Sequence, residues 1–394
     1  MVSASVSEAF MRERLGRECL YMPSCRLGLY VALRHWCPPG GRVLMSPVND
    51  DVIFFVVLAA GLRPVQAPLN AHDASIDPAA VPEEEWRGLS AVLTTNLYGN
   101  PDPAPELAAK CARLGIPLLE DAAHAIGSRV AGRPVGTFGD ASVFSLSKHT
   151  GAKTGGFLAL RDPGLRAELA RARDELLHPV RRTAELAYVA RPYAEAAVRG
   201  LRLVRAARAT LRLLGQEERE EIRMPLRPGE LKQAVDAAPG LVPFHSWVRV
   251  DLHDYRLAPG PARLRRTHRL LSRLDATLAA HRAGTERLLA SPWAAPGAAA
   301  APLQPLFRVP LLVADRDAAI AALARHRVTT GYLYDPPLDD YAGAAFTDAS
   351  PAPAPARWFA RHALPADPLG AGTVLSVLHA SGARPAPPPG ESGA

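Results

Sequence analysis

Lysine is nearly missing from this chain. Lys110, Lys148, Lys153 and Lys232 are the four among 46 basic residues, the remainder being arginine, so a lysine inside a structured motif stands out as a candidate for amine chemistry. Cysteine is sparse too. Cys19, Cys25, Cys37 and Cys111 form no CxxC pair and no Cys/His cluster with zinc spacing, which argues against a metal site and for reduced thiols in a cytoplasmic protein. The longest apolar run, Val52 to Leu62, falls short of the roughly 20 residues a membrane-spanning helix needs. The stretch from Met1 to Gly16 lacks the apolar segment of a signal peptide. Zinc-finger, homeodomain, RRM and KH signatures are absent, so the formal charge of +7 and the pI near 9.5 do not argue for nucleic acid as a partner.

What is present is an alternation of apolar strands and helices. Leu27 to Trp36 reads as a helix, Arg42 to Ser46 as a strand, Asp51 to Ala60 as an apolar helix and Arg63 to Ala67 as a strand. Strands at Ala91 to Thr95 and Ile116 to Glu120 flank a helix, Pro105 to Leu114, which stops at Gly115. This order predicts an α/β fold with a large, mostly parallel sheet covered by helices. Ligands of such sheets sit beyond the carboxyl ends of the strands. Asp121 lies just past one strand end, and Lys148 follows another apolar run, Ala141 to Leu146, and precedes Gly155-Gly156. A reactive amine and a strand-end carboxylate are the pair that pyridoxal phosphate requires, the amine to bond its aldehyde and the carboxylate to keep its ring nitrogen protonated.

The boundaries that follow are an N-terminal extension (1–20), a large α/β domain (21–163), an Arg-rich helical insertion (164–248), a smaller α+β C-terminal domain (249–381) and a Pro/Gly/Ser-rich disordered tail (382–394). In the insertion one helix is expected from about Leu165 to Leu214, with Arg199, Arg202, Arg205, Arg208 and Arg212 along one face. That face is either a solvated surface or a docking site for an anionic partner or membrane surface. In the C-terminal half a long helix is expected from Ala262 to Leu289, an Ala/Pro linker from Ser291 to Pro302, a strand from Leu306 to Val313, a helix from Ala318 to His326 and a loop from Gly331 to Tyr334.

The run Glu120-Asp121-Ala122-Ala123-His124-Ala125-Ile126-Gly127, then Gly132 to Asp140, then Phe144-Ser145-Leu146-Ser147-Lys148, resembles the DegT/DnrJ/EryC1/StrS family, pyridoxal-phosphate-dependent enzymes of fold type I that are mostly sugar aminotransferases. Tyr255-Arg256-Leu257 and Thr95-Asn96-Leu97-Tyr98-Gly99 resemble two further family segments. The resemblance implies that Lys148 carries the cofactor, Asp121 holds its ring nitrogen and His124 stands against its ring oxygen; a core hydrogen-bonding role for His124 remains equally open. Ser24, Cys25 and Arg26 open the first helix, where free backbone N–H groups suit a phosphate, and Ser145 and Ser147 are further phosphate candidates. Tyr98, Arg256 and Tyr332 are the candidates for substrate.

Three departures from the family pattern stand out. The aromatic residue expected over the cofactor ring is replaced by Asn49-Asp50-Asp51, with Phe54 and Phe55 as the nearest substitutes. Asp254 stands where many members place an asparagine that reaches the neighbouring subunit's phosphate, and a carboxylate would repel that group. The Arg-rich insertion has no counterpart in the shorter members. The expected activity is transfer of an amino group from an amino acid, glutamate being the expected donor, to a keto group on a nucleotide-linked sugar or related biosynthetic intermediate, by a homodimer. Two alternatives remain: a dehydratase or other lyase, in which a histidine typically replaces the lysine, and a non-catalytic binding subunit.

Overall fold

The computed structural model describes residues 4–200, 223–250 and 253–389. Its strands are β1 (Glu18–Met22), β2 (Arg42–Met45), β3 (Arg63–Gln66), β4 (Ala91–Thr94), β5 (Leu118–Asp121), a short hairpin of β6 (Arg129–Val130) and β7 (Arg133–Pro134), β8 (Ala141–Ser145) and β9 (Gly156–Leu160). Seven of them form one sheet in the order β1-β9-β8-β5-β4-β2-β3. The five strands from β8 to β3 run parallel, while β9 is antiparallel to both β8 and β1.

Strand residues alternate between two apolar layers. Val43, Met45 and Val143 pack on the side of α2 (Cys25–Trp36) and α3 (Asp51–Ala59), and Leu44 and Phe144 pack on the other. With both faces covered, every residue of β4 and β8 is buried. Helix α3 is apolar all round because it is enclosed all round: the sheet lies on one side, and Phe55 stacks on Trp247 at 5.4 Å on the other.

The remaining helices of the first half are α1 (Ala4–Leu15), α4 (Glu83–Arg87), α5 (Ala104–Leu114), α6 (Arg166–Leu176) and α7 (Arg182–Gly200). Then come α8 (Pro228–Asp236), α9 (His245–Val248), α10 (Pro261–Leu271), α11 (Leu274–Leu289) and α12 (Pro296–Ala300). A two-stranded antiparallel sheet of β10 (Val309–Leu312) and β11 (Ala363–Ala366) is wrapped by α11, α13 (Arg316–Arg325), α15 (Ala354–His362) and α16 (Ala371–Ala380). Between them α14 (Leu338–Ala342) and the following loop return to the large sheet, where Asp348 pairs with both Arg42 and Arg63 at 2.8 Å.

Several elements differ from the sequence reading. Residues 1–20 are not a separate extension: α1 packs on β1, and Glu8 fixes the join by accepting the Tyr21 N–H at 2.8 Å while pairing with Arg166. The single helix expected from Leu165 breaks between α6 and α7, where Pro179 lacks the N–H that would continue it. The helix expected from Ala262 to Leu289 breaks at Ser272-Arg273, and the 291–302 linker contains α12 with Trp293 and Ala295 buried. The tail expected to be disordered from Gly382 is ordered as far as 389, because the Ala386 N–H donates to Leu312 and the Ala314 N–H to Arg384, extending the small sheet. The Arg199–Arg212 face lies outside the described side chains.

Gly284, inside α11, marks the closest approach within the C-terminal half. A Cβ there would sit 2.0 Å from the Pro368 carbonyl oxygen, so backbone, not a flexible side chain, would have to move. We therefore expect Gly284→Ala to destabilise the protein by about 1–3 kcal/mol despite alanine's better helix propensity. Denaturant unfolding measures this, and an unchanged midpoint would refute the packing argument.

Candidate active site

The carboxyl ends of β1, β2, β4, β5 and β8 and the amino end of β9 meet at one edge of the sheet, around a cleft of about 320 Å³. Ser24, Cys25 and Arg26 reach it from β1, Asn49 and Asp50 from β2, Thr95 and Leu97 from β4, and Asp121, Ala123 and His124 from β5. Ser145, Ser147 and Lys148 come from β8, and Lys153, Thr154 and Gly155 precede β9. The sheet order thus gathers residues from across some 130 positions into one cleft.

Asp121 is buried, and its Oδ1 accepts the Ala123 N–H at 2.9 Å. Burial pushes its carboxyl up to about 7, against the opposing effects of the Ala123 N–H and of Lys148. Asn96 braces the strand end from a left-handed conformation (φ 44°), donating from Nδ2 to the Asp121 carbonyl at 3.0 Å. The Lys148 Nζ lies 4.3 Å from the centre of the Tyr332 ring and 5.7 Å from that of Phe307, a cation held against two aromatic rings. Tyr332 and Tyr334 close the cleft from the C-terminal half. The loop that carries Lys148 into β9 turns through Gly155 (φ +92°), where a Cβ would lie 2.7 Å from the Tyr21 hydroxyl oxygen.

His124 lies in an aromatic box, 5.0 Å from Phe307 and 5.7 Å from Tyr332 by ring centres, with Tyr98 parallel at 6.4 Å. Burial, reinforced by the charge of Lys148, holds its pKa well below the usual histidine value, so the imidazole is neutral. His149, next to Lys148, does not line the cleft. Its Nε2 makes a hydrogen bond with the Pro305 carbonyl at 3.0 Å, its ring lies 4.8 Å from His281, and burial lowers its pKa to about 3.

The phosphate candidates divide. Ser24 caps α2, accepting the Leu27 N–H at 3.2 Å and donating to the Tyr255 carbonyl at 3.1 Å, so its hydroxyl is already used inside the fold. Cys25 and Arg26 stand in the first turn, where helix N–H groups suit an anion; the Arg26 Nη1 also donates to the Val248 carbonyl at 2.6 Å. The Ser145 and Ser147 hydroxyls lie 2.8 Å apart at the cleft wall.

Two of the three substrate candidates do not line the cleft. The Tyr98 phenol, buried, donates to the Tyr332 carbonyl at 2.7 Å, and Arg256 donates from Nε to the Leu176 carbonyl at 2.7 Å. Tyr332 does line it. Phe54 and Phe55 do not supply the missing aromatic: both are fully buried in the core, and Val52 and Ile53 line the cleft instead. Asp254 is satisfied within its own chain: it accepts from His178 at 2.7 Å and from the Arg256 N–H at 3.0 Å, and these bonds hold its carboxyl below the usual range against the raising effect of burial. Arg191, His253, Lys153 and Thr154 line the cleft without having been singled out for it.

Residues 8–183 match the sequence model of the DegT/DnrJ/EryC1/StrS aminotransferase family. The matched stretch is under half of the chain. It is 29% identical over 145 residues to the spore coat polysaccharide biosynthesis protein SpsC of Bacillus subtilis, covering 36% of this chain and 37% of the relative. It is 32% identical over 152 residues to the erythromycin biosynthesis sensory transduction protein EryC1 of Saccharopolyspora erythraea, covering 36% and 42%. A third relative, the UDP-N-acetyl-3-dehydro-alpha-D-glucosamine 3-aminotransferase of Acidithiobacillus ferrooxidans, is 30% identical over 134 residues, 33% of this chain and 36% of the relative. The aligned regions thus span well under half of these relatives. The fold likeness is wider. Helicobacter pylori PseC, an aminotransferase of pseudoaminic acid biosynthesis, superposes with a TM-score of 0.66 at 14% identity over 96% of this chain and 89% of that one. The E. coli GDP-4-keto-6-deoxy-D-mannose-3-dehydratase with bound hydrated PLP gives 0.62 at 15% identity over 95% and 90%.

The Asp121 shift has a testable sign. A carboxyl whose folded pKa is raised stabilises the ligand-free fold fully below its unfolded value of 3.8, and that contribution is lost as pH rises through about 7. The stability of Asp121→Asn relative to the parent is therefore expected to rise between about pH 4 and pH 8, by up to about 4 kcal/mol. Denaturant unfolding of both proteins across that range checks this, and parallel curves would contradict it.

Proposed function

We propose that this chain is a pyridoxal-phosphate-dependent aminotransferase that transfers an amino group from an amino acid, glutamate being the expected donor, to a keto group on a nucleotide-linked sugar or a related biosynthetic intermediate, and that it works as a homodimer. The observation that carries the reading is the pairing in one cleft of the Lys148 amine with the buried Asp121 carboxylate. The residues fit the cofactor. Asp121, expensive to ionise in its own surroundings, is matched by a cationic ring nitrogen that returns the cost as an ion pair. Ala123 and the side chains of Val52 and Ile53 offer aliphatic surface for a flat ring in place of the missing aromatic.

When bound, pyridoxal phosphate supplies an electron sink for charge developing at the substrate carbon. Lys148 would hold the cofactor, and as a free amine it would carry a proton to and from the reacting carbon. The Tyr332 and Phe307 rings keep that amine at the cleft through both roles. Neutral His124 stands as the hydrogen-bonding group for the ring oxygen. The dehydratase reading typically goes with a histidine in the lysine's place, and His149 is engaged with Pro305 outside the cleft. That favours transamination.

Addition of pyridoxal phosphate to the purified protein is expected to give a visible absorbance band, and borohydride reduction followed by peptide mapping should find the pyridoxyl mass on Lys148. A label on Lys153 would reassign the anchor. Asp121→Asn should retain the cofactor but lose transamination by about 100-fold or more, on the scale of removing one key electrostatic group. Turnover with glutamate and a panel of keto-sugar nucleotides, followed by mass spectrometry, measures this; unchanged turnover would place the ring-nitrogen partner elsewhere.

A further inference from the structure

The cleft is electrically polarised along the sheet. Its two carboxylates, Asp121 and Asp50, follow β5 and β2; Lys148 follows β8, next to Asp121, and beyond it Arg26 follows β1 and Lys153 precedes β9, with Arg191 entering from α7. Two strand spacings separate β5 from β9, roughly 10 Å, so a ligand that is cationic at one end and anionic at the other has a defined orientation.

Arg191 is held in place by its own helix. One turn earlier, the Tyr188 phenol donates to the carbonyl of Ala152, in the loop joining Lys148 to β9, at 2.7 Å, and the Tyr188 ring packs against Arg263 and Arg266. A further turn back, the Glu185 carboxylate accepts the Ala262 N–H at 3.0 Å and pairs with Arg263 at 2.9 Å, tying α7 to the start of α10. These anchors deliver the Arg191 guanidinium to the basic end of the cleft, with His253 Nε2 3.2 Å from its Nη1. Its other lining groups there are Lys153, Thr154 and the Ser145–Ser147 hydroxyl pair. A guanidinium, an ammonium and hydroxyls lining one cleft match a phosphate group.

We infer that Arg191, with Lys153, binds a phosphate at the basic end of this cleft, supplied from within the chain by the Arg-rich insertion. The inference rests on the proposed function for the identity of the phosphate, which is either that of pyridoxal phosphate or that of a phosphorylated substrate. Asp254, occupied with His178, does not line the cleft and leaves this role to other groups.

The test compares the parent protein with Arg191→Gln, Arg191→Lys and Lys153→Gln. Each is titrated with pyridoxal phosphate and with unphosphorylated pyridoxal by absorbance, and the cofactor-loaded and cofactor-free forms are titrated with inorganic pyrophosphate by calorimetry. Arg191→Gln is expected to lose about 10–100-fold in affinity for one phosphorylated probe, the loss of a charge-assisted hydrogen bond, with partial recovery in Arg191→Lys. Weakened pyridoxal phosphate with unchanged pyridoxal assigns the cofactor's phosphate. Unchanged cofactor binding with weakened pyrophosphate assigns the substrate's. Equal affinities for both phosphorylated probes, or an equal loss for pyridoxal, would overturn the inference. If the parent protein gives no visible band with pyridoxal phosphate, the proposed function fails, while weakened pyrophosphate binding by cofactor-free Arg191→Gln would still support the phosphate site.

Discussion

Burying the Asp121 carboxyl makes its ionisation costly, and the Ala123 N–H and the charge of Lys148 offset that cost in part. The fold supplies Lys148 from the neighbouring strand, and the strand order sets how close the two can come: β5 and β8 are adjacent, so their carboxyl ends are one strand spacing apart. Everything else at this edge supports the pair. Asn96 holds the Asp121 backbone, and the buried carboxylate of Glu120, one residue earlier, accepts the N–H groups of Gly136, Phe138 and Gly139 and pins the loop that leads into β8. A sheet with a different strand order would carry the same two residues without bringing them together.

The second half of the chain completes the cleft through aromatic rings. Phe307 donates its N–H to the Tyr98 carbonyl at 2.8 Å, and the Tyr98 phenol returns a hydrogen bond to Tyr332. The residues before Phe307 are fixed by two buried imidazoles, His149 bonded with Pro305 and His281 with Leu306, each at 3.0 Å. Burial lowers the pKa of both, and the neighbouring His281 adds to the shift of His149. The wall around Lys148 is therefore set by backbone carbonyls spoken for on both sides, which keeps the amine in a fixed setting.

Much of this was legible in the residues. The strand and helix alternation gave the sheet, and Lys148 and Asp121 could be paired because both stand at strand ends within a glycine-punctuated run. Strand direction was not legible: β9 has the same buried apolar character as its parallel neighbours, and only its short connection from β8 hints at reversal. A strand-end tyrosine such as Tyr98 reads the same in sequence whether its phenol enters the cleft or, as here, crosses to a backbone carbonyl. Arg191 and His253 were missed for a related reason. They meet across 62 residues of sequence, and helical periodicity identifies a face without naming what it meets.

The capping of α10 by Glu185 bears on how this lineage of sequences can change. Arg263 is only 3% exposed and its ion-pair partner is Glu185 in α7, while Gly260, before α10, leaves room for that carboxylate where a Cβ would lie 2.3 Å from its side chain. The segment that carries α7 is thus not a detachable ornament, since cutting it out would leave a guanidinium stranded in the interior and a helix start without its acceptor. Positions 260 and 263 are therefore matched to α7: a side chain at 260 would meet the Glu185 carboxylate, and loss of Glu185 would leave Arg263 buried without its ion-pair partner.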